Sequence, residues 1–290
     1  MTNKTAIPDC PNKMDIQCFA MTAPNFVDTT ILNNARMRAL DDVSIDRAKF
    51  FTQWYSLYSA LASKSLVYVI PALKGLQDQT YVNSFVALNI PDRSVAVISR
   101  FAGPERRGES VIAKNFLQNL YFEVYQCPCI FEGYPDLKFI RDNIFFGGHG
   151  IRTTEASLDW LSNVFGIEII KVKMTNEYNY HLDCNMFVLD KENVLLSTET
   201  VSKESIRNIE KVANIHVVSF DESMLGICGS LKVGNSVLNS SSLTAKEYHK
   251  DIHLGRTCRN LGLNMILIDV GESFKSGGSL ACLATPLNYL

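Results

Sequence analysis

Residues 81–126 decide how the chain folds. Tyr81-Val-Asn-Ser-Phe-Val-Ala-Leu88 is rich in β-branched and aromatic side chains and reads as a strand. Asn89-Ile-Pro-Asp-Arg93 is a turn, and Ser94-Val-Ala-Val-Ile98 a second strand. Over 108–120, Val111, Ile112, Phe116 and Leu120 recur at helical spacing and predict an inward helix face. Tyr121-Phe-Glu-Val-Tyr125 reads as a strand again. The unit is hairpin, helix, strand.

The same order follows three more times. Residues 137–147 read as a hairpin turning at Arg141-Asp-Asn143, 154–165 as a helix with Leu158, Leu161, Val164 and Phe165 inward, and 167–172 as a strand. A hairpin over 184–197 turns at Asp190-Lys-Glu-Asn193, before a helix at 203–212 and a strand at 215–218. A hairpin over 226–239 turns at Gly234-Asn235, before a helix at 244–262 and a strand at 264–269. A fifth unit is split between the chain ends. Residues 15–32 supply one or two strands. An amphipathic helix from Ser44, as N-cap, to Lys64 places Phe50, Trp54, Leu57, Tyr58 and Leu61 on one face. Leu66 to Ile70 closes this unit, and the residues after Gly278 complete its hairpin. Repeated small sheets joined through both termini predict an α/β fold of the propeller type, with five blades. The alternative is a layered α/β sheet, but hairpins suit mixed sheets better than βαβ crossovers do.

With 290 residues and 32.5 kDa, one catalytic domain over 1–290 accommodates the pattern. Lys+Arg 28 against Asp+Glu 30 argues against a non-specific nucleic-acid binder, which needs a basic surface. No apolar run reaches the roughly 20 residues of a membrane span, so no membrane partner is expected. Met1-Thr-Asn-Lys-Thr-Ala-Ile-Pro8 has no signal-peptide core, which makes a cytoplasmic location the expectation. The eight cysteines (10, 18, 127, 129, 184, 228, 258 and 282) are scattered and expected to be reduced. Cys127-Pro-Cys129 lacks the gap of a zinc knuckle, and no metal site is expected.

The chemistry concentrates in one class of loop, between the closing strand of one unit and the hairpin of the next. In order these loops carry Asp78, then Glu132 and Asp136, then His181 and Asp183, then Cys228, then Cys282. In a ring they converge on the axis, so a thiol, an imidazole and carboxylates share one pocket. Cys282 follows Ser276-Gly-Gly-Ser-Leu-Ala281, where the glycines permit tight turning and close approach. A small buried thiol after a terminal turn is the plainer reading. His181-Leu-Asp183 at a strand start would point both side chains to one side, although a structural histidine is equally consistent. His149, in Phe146-Gly-Gly-His-Gly150, competes as a turn near a helix start. Glu132 and Asp78 are either turn carboxylates or ligands for a cation.

These motifs resemble, in order and nearly end to end, those of the guanidino-group-modifying enzymes: arginine deiminases, dimethylarginine dimethylaminohydrolases, arginine dihydrolases and amidinotransferases. Met21-Thr-Ala-Pro-Asn-Phe26 with Asn34-Ala-Arg-Met37 is similar to the opening motif, and Gln77-Asp-Gln-Thr-Tyr81 to the first substrate loop. Arg106-Arg-Gly-Glu109, Glu132-Gly-Tyr-Pro-Asp136, Gly148-His-Gly-Ile-Arg-Thr153, His181-Leu-Asp183 and Ser276-Gly-Gly-Ser-Leu-Ala-Cys282 complete the series. The resemblance implies the five-bladed α/β propeller called pentein. It implies Cys282 as nucleophile at the guanidinium carbon, His181 as proton shuttle and Glu132 as its holder. It also implies Asp78 and Asp183 as guanidinium ligands, and Arg106 and Arg152 as grips on a substrate carboxylate. Ser84 stands where many relatives carry Asp or Asn, at a position that helps separate deiminases from dihydrolases. Ala281 replaces a residue that is often basic, and Ser279 a glycine.

The expected function is therefore hydrolysis of a small guanidino compound, arginine or an N-methylated arginine. It passes through a thiouronium intermediate and yields citrulline, or ornithine after two rounds. Amidinotransfer to an amine and a non-catalytic binding protein on the same fold are the alternatives. A cysteine peptidase fits poorly, because several carboxylates near a thiol suit a cation. No metal or organic cofactor is implied, and a homo-oligomer is left open.

Overall fold

In the computed structural model, residues 10–41, 44–87 and 93–289 are described, the side chains of Val86 and Ala87 aside. Residues 89–92 of the expected turn at 89–93, Leu88 and the N-terminal stretch 1–8 lie outside these. Among the described residues, fifteen strands form five three-stranded sheets. They are β1 (Cys18–Met21), β2 (Leu66–Val69), β3 (Val86–Ala87), β4 (Val95–Ile98), β5 (Glu123–Gln126), β6 (Leu137–Arg141), β7 (Ile144–His149) and β8 (Glu168–Lys173). There follow β9 (Met186–Val188), β10 (Asn193–Ser197), β11 (Asn214–Val218), β12 (Leu231–Val233), β13 (Ser236–Ser240), β14 (Asn264–Ile268) and β15 (Ala284–Pro286).

In four sheets the first two strands pair antiparallel and the last two parallel, as the hairpin–helix–strand unit requires. The fifth sheet has the same pattern but is built from both chain ends. Phe19 pairs with Pro286 across antiparallel β1 and β15, and Cys18 with Leu66 across parallel β1 and β2. The Cys18 N–H also donates to Asn288 Oδ1 at 2.8 Å.

The long helices Arg47–Ala62, Glu109–Asn119, Glu155–Phe165 and Tyr248–Asn260, with the shorter Lys203–Ile209, make the parallel connections. Each buries one face on its sheet. Phe50, Trp54, Leu57 and Leu61 of the first pack with Phe19, Met21 and Leu283. Leu57 is fully buried, so its truncation to Ala should cost about 2–5 kcal/mol.

Several local expectations need correction. The first helix starts at Arg47, capped by Asp46, whose carboxylate accepts from Lys49 N; Ser44 is not the cap. An acidic residue immediately ahead of the helix wins because it both accepts the free N–H and meets the helix dipole. In Glu109–Asn119 the buried face is Ala113 and Leu117, while Val111 is 62% exposed; Val164 is also exposed. Residues 82–84 form a 3-10 turn rather than strand, so among the described residues the first strand of that sheet is Val86–Ala87. The one or two strands expected over 15–32 are one, Cys18–Met21, as that reading allowed.

Candidate active site

The first strand of each sheet is entered from the same class of loop. The structure brings Asp78, Arg106, Arg152, His181 and Cys282 to the wall of one narrow cavity. Asp183 joins His181 and Cys282 in an adjoining pocket. Glu132 is fully buried behind His181. Two candidates lie elsewhere. Cys228 sits in the expected loop, but its thiol packs in an apolar cluster with Phe187, Leu189 and Val218. His149 ends β7 and lines an outer cleft with Glu155, Lys171 and Lys173. Its preceding glycines are strand residues rather than a turn; a Cβ there would press on Leu158 or Leu182.

Cys282 lies in the 3-10 turn Leu280–Leu283. Ser279 directs its N–H (3.4 Å) and hydroxyl (3.5 Å) at the thiol sulfur. The glycine reading holds: Gly277 has φ +81°, and a Cβ on Gly278 would collide with the Tyr81 ring. Burial pushes the thiol up to about 11, and the Asp183 charge adds to this, against the Ser279 hydrogen bonds. These surroundings favour the neutral thiol; a cation placed beside it would favour the thiolate.

His181 is not at a strand start. It stands in extended conformation as the residue preceding the short helix Leu182–Asn185, and Asp183 lies within that helix. Its Nε2 lies 2.9 Å from Glu132 Oε2. The other Glu132 oxygen accepts from the Ala102 N–H at 2.9 Å, and Arg152 Nη1 reaches Oε2 at 3.1 Å. Burial alone would raise this carboxyl, but the hydrogen bond and charge of His181, with Arg152, hold it at about 2. Asp136 fixes the loops around the pair. It accepts from the Leu182 N–H (2.9 Å) and the Thr153 hydroxyl (2.6 Å). Burial pushes its carboxyl up to about 6.

Arg106 is held as a fork by Glu109, through Nε at 3.0 Å and Nη2 at 2.7 Å, and Nη2 also donates to Tyr81 O. Among the described residues its Nη1 has no hydrogen-bond partner, which leaves one donor edge for the cavity. Arg152 spends Nη2 on Asn33 O at 2.7 Å. Burial raises the Asp78 carboxyl, against the Arg106 charge. Asp183 accepts from Asn83 Nδ2 at 2.9 Å.

Residues without an assigned role complete the wall: Asn33, Tyr81, Asn83, Tyr180 and Ser276. Asn33 donates to Asp78 (2.7 Å) and Glu105 (3.1 Å), so it covers the Asp78 carboxylate. Asn33 lies directly ahead of the short helix Ala35–Arg38, which Asn34 caps. Arg36 pins that stretch to the other side, donating to Tyr178 O (2.7 Å) and Asn179 Oδ1 (2.6 Å). Among the described residues no cluster of three or more Cys, His, Asp or Glu side chains is placed to hold a metal, and no helix is long and apolar enough to cross a membrane.

No protein-family model matches the chain. It is 25% identical, over 91% of its length and 83% of the relative's, to an N(G),N(G)-dimethylarginine dimethylaminohydrolase of Mycobacterium tuberculosis. It is 26% identical over 91% of its length to the bifunctional arginine dihydrolase/ornithine cyclodeaminase AgrE of Nostoc sp., of which it spans 37%. Its fold matches the crystal structure of the N-terminal domain of ArgZ bound to product, an arginine dihydrolase from Cyanobacteria. The TM-score is 0.85, with 22% identity and 94% and 98% of the two chains covered.

Proposed function

As the chain belongs to the pentein superfamily, alongside dimethylarginine dimethylaminohydrolases and arginine dihydrolases, we propose that it is a cysteine-dependent hydrolase of a small guanidino compound, arginine or an N-methylated arginine. The observation that carries this reading is the convergence of Cys282, His181 and Asp183 on one pocket, beside Asp78 and with Glu132 on the imidazole. A guanidinium is a poor electrophile because its charge is delocalised. Asp78 and Asp183 would hold its N–H edges and localise that charge. The same cation would stabilise the thiolate of Cys282, whose own surroundings favour the thiol, and the thiol proton would pass to His181. A unit charge about 4 Å away at an effective dielectric near 20 is worth about 4 kcal/mol, or about three pKa units.

In the first half-reaction Cys282 Sγ bonds to the guanidinium carbon and the C–N bond to the departing amine breaks, with His181 supplying the proton. In the second, His181 takes a proton from water as it attacks the thiouronium carbon, and the thiol is released. Glu132 orients the imidazole throughout. The open edge of Arg106, with Arg152, would take the α-carboxylate of an amino-acid substrate.

The test is mass spectrometry of products from arginine, monomethyl- and dimethylarginine, and agmatine, with wild type and Cys282→Ala. Turnover by wild type alone is expected, the product mass separating single from double hydrolysis. No turnover of any member of the panel would overturn the reading.

A further inference from the structure

Strands β6, β9 and β12 lead from the loops that carry candidate site residues towards their hairpin turns, and β15 follows the Cys282 turn. Together they line a second cavity of about 360 Å³, with Tyr134, Lys138, Phe139, Arg141, Lys232 and Tyr289 in its wall. Nothing in the hydrolytic scheme uses it.

Lys138 is the unusual residue. It is only 6% exposed, yet among the described residues its ammonium has no hydrogen-bond acceptor and no carboxylate partner. Its Nζ instead lies 3.7 Å from the centre of the Tyr134 ring. A cation over a ring recovers only part of what a desolvated ammonium forgoes. Lys250 shows the ordinary solution to the same problem. Fully buried, it bonds Asn239, Ser240 and Asp251.

The cavity wall carries four cationic residues, Lys138, Arg141, Lys191 and Lys232, against two carboxylates, Asp142 and Asp190. Asp190 is occupied by its own turn, accepting from Glu192 and Asn193 N–H groups. From the other side Lys138 faces the charges of Asp183 and Asp136. Beside it runs an aromatic wall, with Phe139 and Tyr289 stacked at 4.8 Å and Tyr134 and Tyr289 at 6.5 Å.

We propose that this cavity is a second binding site, for a small organic anion whose phosphate or carboxylate is held by Lys138 and whose apolar body lies on the Tyr134–Tyr289–Phe139 wall. Its charge preference is opposite to that of the guanidino pocket. The rim cations Arg141 and Lys191 draw such a ligand in.

The experiment is calorimetric titration of the full chain with phenyl phosphate, benzoate and inorganic phosphate, together with a crystal soaked in the tightest probe. Saturable binding of an aromatic probe is expected, tighter than that of inorganic phosphate; which head group binds better distinguishes phosphate from carboxylate ligands. Lys138→Met should weaken it about tenfold or more, the value of a charge-assisted hydrogen bond, while Lys138→Arg keeps most of it. If Lys138→Met does not fold, the soaked crystal decides. Density on Lys138 supports the proposal, and density only at Arg106 and Arg152 overturns it. Absence of saturation with every probe, or equal affinity in a folded Lys138→Met, also overturns it.

Discussion

His181 and Arg152 share one oxygen: Glu132 Oε2 lies 2.9 Å from the imidazole Nε2 and 3.1 Å from the guanidinium Nη1. One buried carboxylate thus fixes both the proposed proton shuttle and a proposed substrate grip. Its charge is the common element, since two cationic or donor groups converge on it.

Glu132→Gln keeps the shape and removes that charge. The turnover number should fall about a hundredfold or more, the scale of a displaced acid–base group. Steady-state kinetics on the substrate identified by the product panel measures this, and an unchanged turnover number would remove Glu132 from the machinery.

Cys282 makes a prediction about reagents. With its thiol at about 11, it should react slowly with neutral iodoacetamide at neutral pH, and the rate should climb towards that value as pH rises. A haloacetamidine, which carries the guanidinium-like charge, should label it faster at neutral pH. Equal, slow labelling by both reagents would mean that the pocket does not use a cation to activate the thiol.

Arg106 and Glu109 are 7% and 0% exposed and joined by two charge-assisted bonds. Removing one partner leaves the other as an unpaired buried charge. Glu109→Ala should therefore destabilise the fold by about 3–5 kcal/mol, and the double substitution Arg106→Met with Glu109→Leu should recover most of that. Urea unfolding of the three proteins tests the coupling. Activity of the double variant should still be lost, because Arg106 also lines the cavity.

Asp136 sets a pH dependence. Its folded carboxyl is raised from 3.8 to about 6 by burial, so the fold favours the protonated form. That contribution is fully present below 3.8 and is lost as pH rises through about 6; it amounts to at most about 3 kcal/mol. Stability of the wild type should therefore drop between about pH 4 and about pH 6 relative to that of Asp136→Asn, as read by thermal unfolding across the range. Parallel curves would show that Asp136 ionises freely in the fold.

Much of the architecture was legible because burial imposes periodicity. Leu158 and Leu161, or Phe50, Trp54 and Leu57, repeat at helical spacing because one side of each helix faces a sheet. Turn residues such as Asp190 and Asn193 show themselves by bonding their own backbone. The pocket residues were legible as a loop class, since one repeated connection delivers Asp78, His181 and Cys282 to a common wall. What stayed hidden depends on contacts distant in sequence. Val111 matches the apolar pattern yet faces solvent, because the crossing of its helix over the sheet favours Ala113 and Leu117. Cys228 occupies the right loop, but its side chain turns into the core. Asn33 acquires its role only through Asp78, Glu105 and Arg152, which no local pattern announces.

The sheet completed from both chain ends also sets the order of events during synthesis. Cys18 and Asn288 bond across 270 positions, and β15, the strand that follows Cys282, pairs with β1. Four sheets have all their strands before the thiol has been translated, whereas β1 and β2 wait for a partner translated after it. Closing so long a loop is slow and comes late. A chain that lacks β15 would carry most of the pocket wall without Cys282 held in place, so the proposed reactivity would wait for the pairing of β15 with β1.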